Sequence, residues 1–115
     1  MAGIQAFQSQ SVTYAIAAAA TAPTPTLISA GTPNLQPMNY AIQNAGTVWA
    51  SVGMGSSPSI ATSNATAPVP GTPNQTYLVA PGSTIVVRAT ANLYATAIAS
   101  TAGTVYITAG EGSPI

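Results

Sequence analysis

Arg88 and Glu111 are the only fully charged side chains in the sequence, which holds one basic residue, one acidic residue and no histidine. A glutamate can hold or move a proton, and serine, threonine and tyrosine hydroxyls can attack a carbonyl or donate to an oxyanion. Each of those roles needs a neighbour. General acid–base catalysis works with groups whose pKa values are set apart by their surroundings, and a hydroxyl nucleophile needs a base beside it. Glu111 has no second carboxylate or imidazole to work with. A glycosidase carboxylate pair, a Ser-His-Asp triad and a two-histidine-one-carboxylate metal site all require residue types that the chain lacks. The reading is therefore of a protein that is not an enzyme, with no catalytic residue, no metal ligand and no cofactor.

The same shortage bears on partners. Affinity for DNA or RNA comes mainly from lysine and arginine neutralising phosphates, and one arginine cannot supply it. The aromatic residues Phe7, Tyr14, Tyr40, Trp49, Tyr77, Tyr94 and Tyr106 could stack on bases, but a stacking platform needs a basic groove around it. No nucleic-acid partner is expected. With no cysteine, disulfides, thiolate metal sites and thiol chemistry are excluded. The apolar stretch Val12–Ala22 is shorter than the ~20 residues of a spanning helix and lacks a basic flank, so no membrane partner is expected and the start reads as mature. The triplets at Asn64 and Asn74 fit the N-glycosylation pattern but arise easily in a threonine-rich chain.

The elements that would carry any surface read as strands. A chain of 115 residues suits one domain, 1–115, with a single core. Strand-like runs fall at Val12–Ala22, Thr26–Ser29, Met38–Asn44, Thr47–Val52, Ser59–Ser63, Thr76–Ala80, Thr84–Ala91, Tyr94–Ser100 and Thr104–Ala109, bounded by glycine, proline, asparagine and serine. Tyr40/Ile42 and Val48/Ala50/Val52 recur at every second position, as one buried face demands. Asn44-Ala45-Gly46 between them reads as a hairpin turn. Ala80-Pro81-Gly82-Ser83 is a turn in which proline sets φ and glycine supplies a positive φ.

Ile85-Val86-Val87 is apolar on both faces, which points to two covering layers or to another subunit. The last three strands read as a meander. Met1–Ser11, Pro23–Pro37 and Gly53–Gln75 read as an extended N-terminal arm and two proline-rich connections. Together these features predict an all-β fold, a single β-sandwich or jelly-roll domain whose long connections cross between sheets.

Sheet edges are commonly protected by lysine, other charges, proline or bulges. This chain has no lysine, and its net charge of zero favours association. Its edges and faces are therefore expected to be covered by partners, itself among them. If either Arg88 or Glu111 is buried, the other should accompany it, because an unpaired buried charge is strongly destabilising. The alternation in Arg88–Ala91 and Tyr94–Ala97 lacks the regular threonine ranks of an ice-binding surface and follows from strand propensity.

Three stretches carry a resemblance: Ala80-Pro81-Gly82-Ser83-Thr84-Ile85-Val86-Val87, Asn92–Ala99 and Thr104–Gly112, with Tyr40–Val48 in the same style. They resemble small virion proteins of tailed bacteriophages, in particular capsid decoration or cement proteins. The resemblance implies a β-sandwich on the outer capsid surface of the virion, made in the host cytoplasm. It implies two partners, the major capsid protein and the chain itself as a dimer or trimer, with shell stabilisation by bridging capsid subunits. On that footing Trp49, Tyr77 and Tyr94 are the candidate interface aromatics, joined by Arg88 and Glu111. Two other readings stand beside it: a tail-fibre or adhesin module that binds glycan, and a self-assembling shell or filament protein.

Overall fold

The computed structural model describes residues 8–28, 39–71, 75–88 and 92–111. Eight strands and one helix follow in chain order: β1 (Gln8–Ala18), β2 (Thr26–Leu27), β3 (Asn39–Asn44), β4 (Ala50–Gly55), α1 (Pro58–Asn64), β5 (Tyr77–Val79), β6 (Thr84–Arg88), β7 (Tyr94–Ala99) and β8 (Gly103–Glu111). The fold is all-β apart from that helix. Among the described residues no helix is long and apolar enough to cross a membrane.

Two four-stranded antiparallel sheets form, the first in the order β1-β8-β3-β6 and the second in the order β2-β7-β4-β5. Within them β1 pairs β8, β2 pairs β7, β3 pairs β6 and β4 pairs β5, so the chain behaves as one long hairpin bent across both sheets. The further ladders β3–β8 and β4–β7 close each sheet.

Alternation explains which faces meet. In β3, Tyr40 and Ile42 are buried while Gln43 is exposed; in β8, Val105, Ile107 and Ala109 are buried and Tyr106 is exposed. These residues and Ile16 of β1 meet Ala50, Val52 and Met54 of β4, Val79 of β5 and Ala95, Ala97 and Ala99 of β7 in one core cluster. Larger side chains thus dominate the inner face of the first sheet and alanines that of the second, an interdigitation of unequal volumes that fills space without strain.

Several sequence expectations change. Ser59–Ser63, expected as a strand, is helical. Ser57 has extended backbone and accepts a bond from the Ile60 amide through its side chain, and Pro58 opens the first turn; a serine cap followed by proline is a helix start. This helix and the Gly53–Gly55 end of β4 also interrupt the Gly53–Gln75 stretch expected as a connection. The turn at Asn44-Ala45-Gly46 is not a hairpin, because β3 and β4 lie in different sheets. The final strands are not a meander either: β6 and β8 belong to the first sheet and β7 to the second, since each inner face needs apolar cover from the other.

Among the described residues Ile85-Val86-Val87 is not covered on both sides. It forms an edge strand whose three apolar residues are half-buried. Of the expected arm Met1–Ser11, residues 8–11 belong to β1, because β8 runs on to Glu111 and offers backbone partners to Gln8 and Ser9; the rest lies outside the described residues. So do residues 29–38 and 89–91.

Candidate functional site

The outer face of the second sheet carries an apolar groove. β4 pairs Ser51 with Leu78 of β5 on one side and with Ile98 of β7 on the other, so Leu78, Ser51 and Ile98 form a rank across three strands. Val79, Ala97 and Ala99 point into the core, and alternation turns Leu78 and Ile98 outward. Trp49 lies two residues before Ser51 on the same parity and is 59% exposed; Leu78 is 44% exposed. Ala67 and Pro68 form one wall and Ala20 and Ser100 belong to the rim, giving a groove of about 380 Å³.

The remainder of that face is already covered. α1 lies over Gly53 and Gly55 of β4, whose missing side chains let its backbone and Ile60 approach closely. Asn64 closes the helix end by donating from Nδ2 to the Met54 carbonyl at 2.8 Å. Thr96 of β7, opposite Gly53, is fully buried and satisfies its hydroxyl by donating to the Pro23 carbonyl at 2.8 Å. The helix therefore fixes where the groove begins, and the segment that follows it builds the wall.

Chemically the groove holds no ionisable group, and its side-chain hydroxyls come from Ser51 and Ser100. Such a surface can take apolar or aromatic side chains and a few backbone hydrogen bonds. It has nothing with which to move a proton.

The five expected interface residues do not converge. Trp49 is in the groove. Tyr94, half-buried, pairs with Leu27 and Gly55 at the other end of the second sheet. Tyr77 packs against the core from β5, and its hydroxyl accepts from Asn92 Nδ2 at 3.4 Å. Arg88 is exposed at the end of β6, next to Asn39 in the ladder, and its carbonyl accepts from Asn92 Nδ2 at 2.8 Å. Glu111 ends β8 opposite Gln8, and its side chain lies outside the described residues. Leu78, Ile98 and Pro68 are the site residues that sequence reading missed. For Leu78 and Ile98 the signal was an apolar side chain on the outward parity of strands whose inward parity was already apolar; Pro68 lies in the connection after α1 and carried no such signal.

Among the described residues one titratable group is perturbed, and it is remote from this surface. Tyr40 is 1% exposed and its hydroxyl has no hydrogen-bond partner among the described residues. Burial, with a smaller effect of nearby Tyr14, pushes its phenol from 10.0 up to about 12. The folded state therefore keeps this proton where the unfolded chain loses it. Stability from this group is complete below pH 10 and declines by roughly 2–3 kcal/mol between pH 10 and pH 12. Tyr40→Phe is expected to remove that decline and to raise stability at pH 7 by about 1 kcal/mol, since an unpaired buried hydroxyl is costly. Urea unfolding of both proteins from pH 7 to 12 checks it; parallel curves would refute the assignment.

No protein-family model, curated protein or solved structure matches the chain.

Proposed function

We propose that the protein is a structural virion component of a tailed bacteriophage, a β-sandwich of jelly-roll type that binds the outer capsid surface and stabilises the shell by bridging capsid subunits. The observation that carries this reading is the uncharged groove around Trp49, Leu78 and Ile98 in a chain with a single basic and a single acidic residue. Such a surface is suited to being covered by another protein. The strand orders support the jelly-roll reading: an eight-stranded double Greek key gives the β1–β8, β2–β7, β3–β6 and β4–β5 pairs, and this architecture is widespread in viral capsid and lectin domains. In this reading Trp49 is the anchor, the major capsid protein supplies the side chains that fill the groove, and copies of the chain also associate with one another. The effect is mechanical. Added contact area at subunit junctions raises the cost of separating them, by mass action and without chemistry.

The test mixes purified protein with capsids lacking it. Saturable binding and a rise in capsid melting temperature are expected, with little change between ~0.05 and ~0.5 M salt, because apolar contact is not screened. Trp49→Ala should weaken binding about 30-fold, as loss of a central aromatic anchor does, while leaving the melting temperature of the free protein nearly unchanged. Steep loss of binding with salt, or an unaltered affinity for the variant, would overturn the reading.

The exposed Trp49 ring also favours sugar stacking. Tyr106, the other well-exposed aromatic among the described residues, lies on the outer face of the opposite sheet, and Ser51 and Ser100 are the groove's hydroxyl side chains. Glycan binding by the free protein, with no binding to capsids, would select that alternative; polymerisation without capsids would select a filament or shell protein.

A further inference from the structure

Four strands lie at sheet edges: β1 and β6 in the first sheet, β2 and β5 in the second. An open edge offers unpaired N–H and C=O groups to any extended chain, and proteins blunt it with short strands, bulges, proline or charge. Three of these edges are blunted. β2 has two residues and β5 has three. β1 carries a register shift between Ser9 and Thr13. β6 differs. It pairs with β3 in unbroken register from Asn39↔Arg88 to Gln43↔Thr84, holds no proline, and has its one charge at its last residue.

The pattern of hydrogen bonds shows which backbone groups of β6 face outward. Asn44 N donates to Ser83 O at 3.0 Å, so antiparallel alternation turns the backbone groups of Ile85 and Val87 toward β3 and those of Thr84, Val86 and Arg88 outward. The Arg88 carbonyl faces outward as that alternation requires but is already occupied by Asn92 Nδ2, so the outward pairing rests on Val86 and Thr84. Ile85 and Val87 sit opposite Ile42 and Tyr40 and pack on the core, yet both stay half-buried, with no strand beyond them among the described residues.

We propose that β6 is where two copies of this chain join, pairing antiparallel about a two-fold axis through Val86 to make one continuous eight-stranded sheet. This rests on the self-association included in the proposed function and names its surface. The strand itself selects a second copy as the occupant, because its sequence is palindromic in character: Thr84, Ile85, Val86, Val87, Arg88 runs polar, apolar, apolar, apolar, polar. A two-fold pair requires that symmetry. Val86 then opposes Val86, Ile85 opposes Val87, and Thr84 opposes Arg88. The two arginines fall four residue steps apart along the ladder, about 14 Å, beyond the reach of strong repulsion at physiological salt. The outward groups of Val86 exchange two hydrogen bonds at the axis, and the half-buried Ile85 and Val87 gain cover.

The sequence contains no cysteine, so one substitution gives a clean reporter. Paired residues at the axis have Cα atoms about 5.5 Å apart, inside the disulfide range. Val86→Cys should oxidise to a covalent dimer at least about tenfold faster than Thr101→Cys, a control in the exposed connection before β8, where only random collision brings thiols together. Val86→Pro removes the outward amide without touching the ladder to β3, and proline is tolerated at such edge positions. It should sediment as a folded monomer where wild type sediments as a dimer. Should it fail to fold, the cysteine pair decides alone. An oligomeric wild type with no Val86→Cys acceleration overturns the β6 assignment while leaving self-association intact. A wild type that stays monomeric up to about 0.1 mM overturns both and leaves the edge to another chain.

Discussion

Asn44→Ala is expected to lower the unfolding free energy by about 4 kcal/mol, from three hydrogen bonds lost together at a buried site. Asn44 is the last residue of β3 and is 2% exposed. Its Nδ2 donates to the Val48 carbonyl at 2.8 Å and to the Val79 carbonyl at 2.9 Å, while its Oδ1 accepts from the Gly46 amide at 2.9 Å. Its backbone is equally committed: the amide donates to Ser83 O and the carbonyl accepts from Gly82 N, at 3.0 and 2.8 Å.

One side chain thus holds the corner where the chain leaves the first sheet, and it ties that corner to β5 of the second. Alanine leaves two carbonyls and an amide without partners: the buried Val79 carbonyl costs about 1–3 kcal/mol, and the part-buried Val48 carbonyl and Gly46 amide about 1 kcal/mol each. For a chain of this length the melting temperature should fall by roughly 10–20 °C. Asn44→Asp is expected to be worse than alanine at neutral pH, because a carboxylate would face both carbonyls, and to recover in acid as it regains a proton to donate. A loss below about 1 kcal/mol for Asn44→Ala would show that the sheets are held elsewhere.

That corner also explains where sequence reading ran out. The strands of the core were legible because their signal is local: Tyr40 and Ile42, or Val105 and Ile107, alternate with residues that suit solvent, and Pro81-Gly82 announces the turn before β6. Gly82 indeed has φ 76°. Which strands pair was not legible, since the same asparagine and glycine suit a hairpin and a crossing between sheets. What selects the crossing is the distance bridged by the Asn44 side chain, to a carbonyl 35 positions later.

The candidate site was half legible. Trp49 stood out by type, whereas Leu78 and Ile98 join it only through pairing with Ser51 in the middle strand. Tyr77 and Tyr94 were chosen by type alone, and the ladder separates them. The helix was the clearest failure. Ser59–Ser63 alternates like a strand, and its helical form depends on Gly53 and Gly55, bare backbone that accepts Ala61, Ala65 and Ile60.

The same contact sets the second large effect, in Gly53→Ala. A β-carbon at Gly53 would fall against the Ala61 carbonyl, the Ala65 amide and, at 2.7 Å, the Ala65 Cα. All three are backbone atoms, so no side chain can swing aside and α1 must move. Ala61, at 0% exposure, would lose its seat, and Thr96 would lose its cover. The expected cost is about 3–5 kcal/mol, in the range of severe core overpacking. Gly71→Ala is the internal comparison. That glycine has φ 81° with open space around it, so its substitution costs only about 1–2 kcal/mol, from backbone conformation alone. A ratio near one between the two variants would refute close packing as the reason for Gly53. If the packing argument is right, Gly53→Ala also opens residues 56–70 to proteolysis before the rest of the chain unfolds, because β4 keeps its ladders to β5 and β7 while losing only its outer cover. With Ala67 and Pro68 no longer held against Trp49, capsid binding should fall with it. Damage to the fold and damage to the groove then share one cause, the absence of a single methyl group at Gly53.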